Sequence, residues 1–308
     1  AGAALAGGDP WAPGAAEQRA RTLAALERDM QGFQKDAGQK AFRLEAMRSL
    51  MKIDMASSNW ASIRDCTLAV LKLLGGCQED SGSHRVRFLR WSVADRLANE
   101  AEAGVKAPRG HKQKGAVWTT AQIAARVFAS ASGGREVGSL FQACIERDCP
   151  HSTALPDWRR PQPGRRSDEL FSEYADRMTA YHRLWLAVQI LQGDLGACWR
   201  WLARTLNEPS PPPIAYPLLC ETLEIAGVDL HQRYRRQFDK LAAYAEQHAA
   251  PQAKAAAADL AGDDGATLRL WSGRLATWLQ AFRGTGRAAP APGREIKASE
   301  ESELKDVW

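Results

Sequence analysis

Apolar residues recur at helical spacing along this chain, and the clearest stretch runs over residues 197–241. Trp199, Leu202, Ala203 and Leu206 fall at i, i+3, i+4 and i+7, so the spacing predicts one buried helical face. Asn207, Glu208 and Pro209, followed by the prolines at 211–213, stop that helix, because proline lacks the amide donor and clashes with the preceding turn. Leu218, Leu219, Thr222, Leu223 and Ala226 predict a second helix, with Gly227 as its C′ residue. Asp229 is placed to cap a third, carrying Tyr234, Phe238 and Leu241 inward and Arg233, Arg235, Arg236 and Lys240 on its polar side.

The same period extends in both directions. Residues 17–56 read as one long charged helix with two apolar seams. Leu23, Leu26, Met30 and Phe33 make the first; Phe42, Leu44, Met47, Leu50 and Met51 make the second. Gly32 and Gly38 weaken that helix without having to break it. Asn59 caps a helix through Ile63, Cys66, Val70 and Leu74 that Gly75 and Gly76 end. Further helices are expected over 84–105, 119–128, 135–147 and 168–192, and a last one carries Leu268, Trp271, Leu275, Trp278, Leu279 and Phe282. Residues 108–115 read as a basic loop and 150–166 as a loop with four arginines, while the alanine-rich stretch 247–265 specifies little. No sustained alternation marks a strand, and no exact repeat appears. The fold class is therefore all-α, an irregular HEAT-like α-solenoid or helical-repeat domain. Residues 1–16 and 284–308 are expected to be disordered tails around a single helical domain over 17–283. The four tryptophans at 185, 199, 271 and 278 are expected in the core.

Composition changes this picture little. A chain of 308 residues with 45% apolar and 25% charged residues is an ordinary globular protein, and a formal charge of +5 permits an anionic ligand without requiring nucleic acid. No apolar run is long enough to span a bilayer, and the N-terminus has neither the basic nor the apolar part of a secretory signal. The first residue is not methionine, which fits a piece of a longer protein. Six scattered cysteines, none in a CxxC pair, read as buried hydrophobes of a reducing compartment.

Catalytic patterns are poor. There is no phosphate loop, dinucleotide fingerprint, GxSxG or HExxH, and the six histidines lie singly, so neither an enzyme nor a metal site is expected. Cys149 and His151 are close in sequence, but the bland reading, a core cysteine beside a loop histidine, is the stronger. The better lead is cationic. Arg147, Arg159, Arg177 and Lys240 lie at helix ends or polar faces in the central half of the chain, and a polyphosphate needs several such groups around it. From the residues alone, solvated surface charge with carboxylate neighbours is the simpler explanation of the same four.

The segments FQACIERDCP (141–150), YADRM (174–178), CWRWLARTLNEP (198–209), LLCETLEIAG (218–227) and RYRRQFDKL (233–241) occur in an order and spacing that resembles the C-terminal domain of the Gle-one family of nuclear-pore mRNA-export factors. ADRLANEAEAGV (94–105) is similar to an earlier helix of that domain. The resemblance implies an all-helical, HEAT-like domain that binds a DEAD-box RNA helicase at the cytoplasmic face of the nuclear pore and stimulates its ATPase cycle. It further implies a C-terminal segment of an FG nucleoporin as a second partner, no direct sequence-specific contact with nucleic acid, and inositol hexakisphosphate as a possible ligand. Arg147, Arg159, Arg177 and Lys240 match basic positions of the family's pocket. Asp95, Asn99, Cys144 and Asp148 stand where its fungal pattern has cations, so the expected pocket is degenerate and weak. The alternative is a helical scaffold of the translation-initiation-factor type that binds RNA-associated partners.

Overall fold

The computed structural model describes residues 12, 14–54, 56, 58–76, 83–106, 116–153, 156–158 and 164–295. Among these residues every regular element is helical and none is a strand. The basic loop at 108–115, Cys77, Arg159, Arg160 and most of both expected tails lie outside them. The chain divides into two compact units, Ala1–Arg147 with Glu295–Trp308, and Asp148–Arg294, where the sequence reading has one domain over 17–283.

The first unit holds α1 (Ala15–Lys35), α2 (Lys40–Asp54), α3 (Trp60–Gly75), α4 (His84–Lys106), α5 (Ala116–Phe128) and α6 (Gly134–Asp148). The long first helix is thus two helices. Asp36 adopts extended backbone and its carboxylate accepts the Gly38 N–H at 2.8 Å, starting a single 3-10 turn, Ala37–Gln39. Arg43 then donates to the carbonyls of Phe33 and Asp36 at 2.9 and 2.6 Å, satisfying acceptors that the interrupted helix leaves open. The first apolar seam is buried as expected: Leu23, Leu26, Met30 and Phe33 all face inward. The second is not. α2 buries Ala46, Leu50 and Ile53, while Leu44, Met47 and Met51 stand 50%, 42% and 53% exposed. The kink at Asp36 rotates α2, so the face that would continue α1's seam turns outward. Asn59 caps α3 through Ser62 N–H at 2.8 Å. Phe88, Leu89, Val93 and Leu97 of α4, Trp118, Ile123 and Val127 of α5, and Phe141, Cys144 and Ile145 of α6 complete the core. Arg19 of α1 forks onto Glu146 of α6 at 2.6 and 2.8 Å, with both side chains under a tenth exposed.

The second unit holds α7 (Phe171–Gln192), α8 (Leu195–Leu206), α9 (Ala215–Tyr234), α10 (Arg236–Tyr244), α11 (Ala250–Asp259) and α12 (Gly262–Thr285), with a π-helical turn, Ala245–Ala249, joining α10 to α11. α7 is buried nearly all round, from Phe171 to Ile190, and packs along α9. Gly193, at φ 78°, closes α7, and the Asp194 carboxylate caps α8 through Ala197 N–H at 3.0 Å. The inward face of α8 is Ala197, Cys198, Trp201, Leu202 and Leu206. The expected face, which includes Trp199 and Ala203, is rotated from this one: Trp201 is fully buried and Trp199 is half-buried, stacked on Tyr234 at 4.2 Å.

Gly227 does not end a helix. α9 runs through it without a break, and the residue is small where a side chain would meet Trp278 of α12, Cζ2 lying 2.9 Å from an added Cβ. The actual break is at Arg235, φ 47° and ψ −119°. Asp229 caps nothing. It takes both forks of Arg294 at 2.6 and 2.9 Å, and with Ala291 buried, residues 286–294 are held against the unit, not loose as expected beyond Gly284. The alanine-rich stretch resolves as α11, whose small Ala253 and Ala257 are buried where it lies close along α12. Trp185 and Trp271 are buried as expected; Trp278 is half-buried, stacked on Phe282 at 5.5 Å.

Candidate functional site

Arg147 lies in the last turn of α6, where a cation also interacts favourably with the helix carbonyl end. Its guanidinium is already engaged. One amino group is 2.5 Å from Glu27 of α1 and the other 3.0 Å from Asp95 of α4. Asn99, one turn after Asp95, donates its side-chain amide to the same carboxylate at 2.9 Å. Asp95, a position expected to be cationic in a polyphosphate pocket, is thus an internal acceptor for Arg147, and Asn99 donates to that same acceptor. Cys144, one turn before Asp148, is fully buried in the core of the first unit and presents nothing to solvent.

Arg177 belongs to the second unit and is only 6% exposed. It makes a two-pronged pair with Glu169, Nε to Oε1 at 2.7 Å and Nη2 to Oε2 at 2.6 Å, and donates further to the Gly164 carbonyl at 2.8 Å and the Asp148 carbonyl at 3.4 Å. Burial pushes the Glu169 carboxyl up, but the Arg177 hydrogen bonds and charge outweigh it and hold it below the usual carboxylate range. The guanidinium also lies over the Tyr174 ring, 5.7 Å from its centroid. Arg177 therefore fastens the loop before α7 to that helix. Lys240 is exposed on α10. Of the four expected anion-site residues, Arg147 belongs to the first unit, Arg177 and Lys240 to the second, and Arg159 lies outside the described residues. What the structure brings together is Arg147 with Glu27 and Asp95, and Arg177 with Glu169.

The second unit also contains a buried polar cluster, which extends the Cys149 and His151 pair noted in the sequence to Ser152, Tyr174, His182 and Thr222. His151 and His182 are both fully buried. Ser152 Oγ lies 3.1 Å from Cys149 Sγ and 3.1 Å from His182 Nδ1, and His182 Nε2 is 2.8 Å from Thr222 Oγ1. His151 stacks on Trp158 at 4.7 Å, its Nε2 is 3.4 Å from the Tyr174 hydroxyl, and its carbonyl accepts the Trp201 indole N–H at 2.7 Å. Burial holds the His151 imidazole down at about 4 and that of His182 at about 3, while it pushes the Cys149 thiol up to about 11. A thiol at that value is not a nucleophile at neutral pH, so Cys149 is a packed core group and the imidazoles are neutral struts. His151 lies in the loop after α6 as expected, but its ring is enclosed and oriented. The signal available in the sequence was the run of aromatic and hydroxyl residues around it, which only the packing makes legible.

Among the described residues no group of three or more His, Cys, Asp or Glu could hold a metal ion, and no helix is long and apolar enough to cross a membrane.

Comparison with known proteins fixes the family. The chain is 34% identical over 89 residues, 26% of its length, to the Drosophila melanogaster mRNA export factor Gle1, and the match spans 13% of that protein. Its fold is similar to that of Gle1 in a structure of an S. cerevisiae Dbp5 C-terminal domain variant bound to Gle1 and IP6, with a TM-score of 0.66 and 14% identity over 91% of this chain and 99% of that one. A second such complex, with a Gle1 variant, gives a TM-score of 0.64 and 13% identity over 92% and 99%. The model of the GLE1-like protein family matches residues 54–246, from the end of α2 into the π turn after α10, and the chain belongs to that family.

Proposed function

We propose that this chain is an mRNA-export factor domain that binds a DEAD-box RNA helicase and stimulates its ATPase cycle at the cytoplasmic face of the nuclear pore. The observation that carries the reading is the family match across α3 to α10, joined to a fold shared with a Gle1 that has been seen holding Dbp5. Both compact units take part as one helicase-activating domain, since the shared fold covers most of each. The chain works without chemistry of its own: it stabilises one arrangement of the helicase lobes, and it can do so only by binding that arrangement more tightly than the others. A C-terminal segment of an FG nucleoporin is the second partner in this proposal.

Inositol hexakisphosphate is a weak ligand in this reading. Of the four expected residues, Arg147 is the one proposed to meet the ligand. Arg147 already faces Asp95 and Glu27, and Arg177 is committed to Glu169. A polyphosphate reaching Arg147 has to displace its two carboxylates or sit beside them, and like charge in that position weakens binding. Titration of a labelled cognate helicase with the chain tests the proposal. Saturable binding that tightens with ATP and RNA present is expected, and equal affinity for the free and the ATP- and RNA-bound helicase would overturn it.

A further inference from the structure

The junction between α9 and α10 carries a feature that helicase activation does not account for. Arg233, Arg235, Arg236 and Lys240 fall within eight residues, and all four are exposed. None of them has a carboxylate within ion-pair distance among the described residues, whereas most other arginines in this unit with a defined environment are paired. The one acid in the segment, Asp239, is turned to His231, 3.2 Å from its Nε2. Arg235 is also the only non-glycine residue described with a positive φ, at 47° and ψ −119°, a conformation that a glycine adopts at less cost. An exposed arginine therefore sits where the backbone favours glycine, and no hydrogen bond or ion pair of its side chain to another described residue compensates. Beside it the Tyr234 and Trp199 rings stack at 4.2 Å, both only half-buried, and the Arg233 guanidinium lies 5.9 Å from the Tyr234 centroid.

From this juxtaposition we infer that the α9–α10 junction is a binding surface for the backbone of single-stranded nucleic acid, without sequence preference. Guanidinium forks match phosphate oxygens, and part-exposed aromatic faces accept unstacked bases of any identity. An acidic peptide would use the cations and leave the rings idle; a duplex keeps its bases stacked and out of their reach. The reach of three arginines and a lysine suits a few successive phosphates. The inference is independent of the helicase reading, because no helicase enters the assay that tests it.

The assay is fluorescence anisotropy of a labelled uridine decamer titrated with the whole chain over a salt series, with a thymidine decamer and a duplex as further arms. Binding should weaken with salt at a logarithmic slope of roughly −0.7 per phosphate contact, so about −2 for three contacts. R233Q/R235G/R236Q, which changes only exposed side chains, should weaken binding at least about tenfold and flatten that slope. R235G alone should weaken binding while raising the melting temperature, a combination that a merely structural arginine does not produce. Absence of binding by the unaltered chain at low salt, or an affinity and slope unchanged in the triple variant, overturns the inference. So does a duplex bound as tightly as the single strand, or a triple variant that loses only an acidic protein partner.

Discussion

Arg147 Nη2 lies 3.0 Å from Asp95 Oδ1, so a carboxylate occupies the guanidinium face that a pocket for a polyphosphate would leave open. The pair is about a third and a quarter exposed, and such an ion pair contributes no more than about 1 kcal/mol to stability. Its larger effect is on the local potential. Replacing the carboxylate by a cation should cost little stability and remove both the competing partner and the repulsion. Asp95→Lys is expected to tighten inositol hexakisphosphate binding by about 1 kcal/mol or more, and Asp95→Lys with Asp148→Lys by more again, each read by calorimetry at physiological salt. Tight binding by the unaltered chain would contradict the assignment of Arg147 as a self-neutralised cation.

Arg177 makes the opposite case, a cation whose loss is felt by the fold. Arg177→Ala leaves Glu169 buried without its partner, and breaking such a pair typically costs about 3–5 kcal/mol. Urea unfolding without any ligand should show this loss. Removing both members, as Arg177→Met with Glu169→Leu, should recover much of it. A stable Arg177→Ala protein that fails only in anion binding would instead place Arg177 in the ligand site.

Gly227 separates helix propensity from packing. Propensity alone gives Gly227→Ala a gain of roughly 1 kcal/mol in the middle of α9. The added methyl would lie 2.9 Å from Trp278, so overpacking at about 1–3 kcal/mol is expected to win and lower the melting temperature. Gly227→Ala with Trp278→Leu should restore the lost stability. A rise in melting temperature for the single variant would show that Trp278 moves aside freely.

How much of this was legible beforehand depends on what each residue is packed against. Caps and stops read well because they are local: Asn59 starts α3, and Gly75 ends it, through chemistry confined to a few residues. Faces read less well. Trp199 and Trp201 are both bulky and both on α8, and only the position of α7 and α9 decides that Trp201 goes inside. Leu44, Met47 and Met51 looked like core because a straight helix would have carried the first seam onward, and the kink depends on Asp36 and Arg43 acting together. The cations were visible as residue types. Their engagement was not, since Glu27, Asp95 and Arg147 are far apart in the chain and meet only when α1, α4 and α6 pack.

Acid should loosen the second unit through its buried histidines. Burial lowers the folded-state values of His151 to about 4 and His182 to about 3, against about 6.5 when unfolded. As pH falls below about 6.5 the unfolded chain gains protons that the folded chain refuses, so stability is complete above that value and declines toward the folded values. Between pH 6.5 and 5 the loss should be roughly 2 kcal/mol per histidine. Urea titrations at both pH values check this, and His182→Gln should reduce the pH-dependent part by about half while lowering stability at neutral pH. A stability curve flat across that window would contradict the enclosure of the two rings.

The most direct test of the account as a whole is the RNA-stimulated ATPase rate of the cognate DEAD-box helicase, titrated with this chain in the presence and absence of inositol hexakisphosphate. The account predicts that the chain raises turnover, and that the ligand moves the half-saturating concentration by less than about threefold at physiological salt. No stimulation under either condition, or stimulation that appears only when the polyphosphate is present, would contradict it.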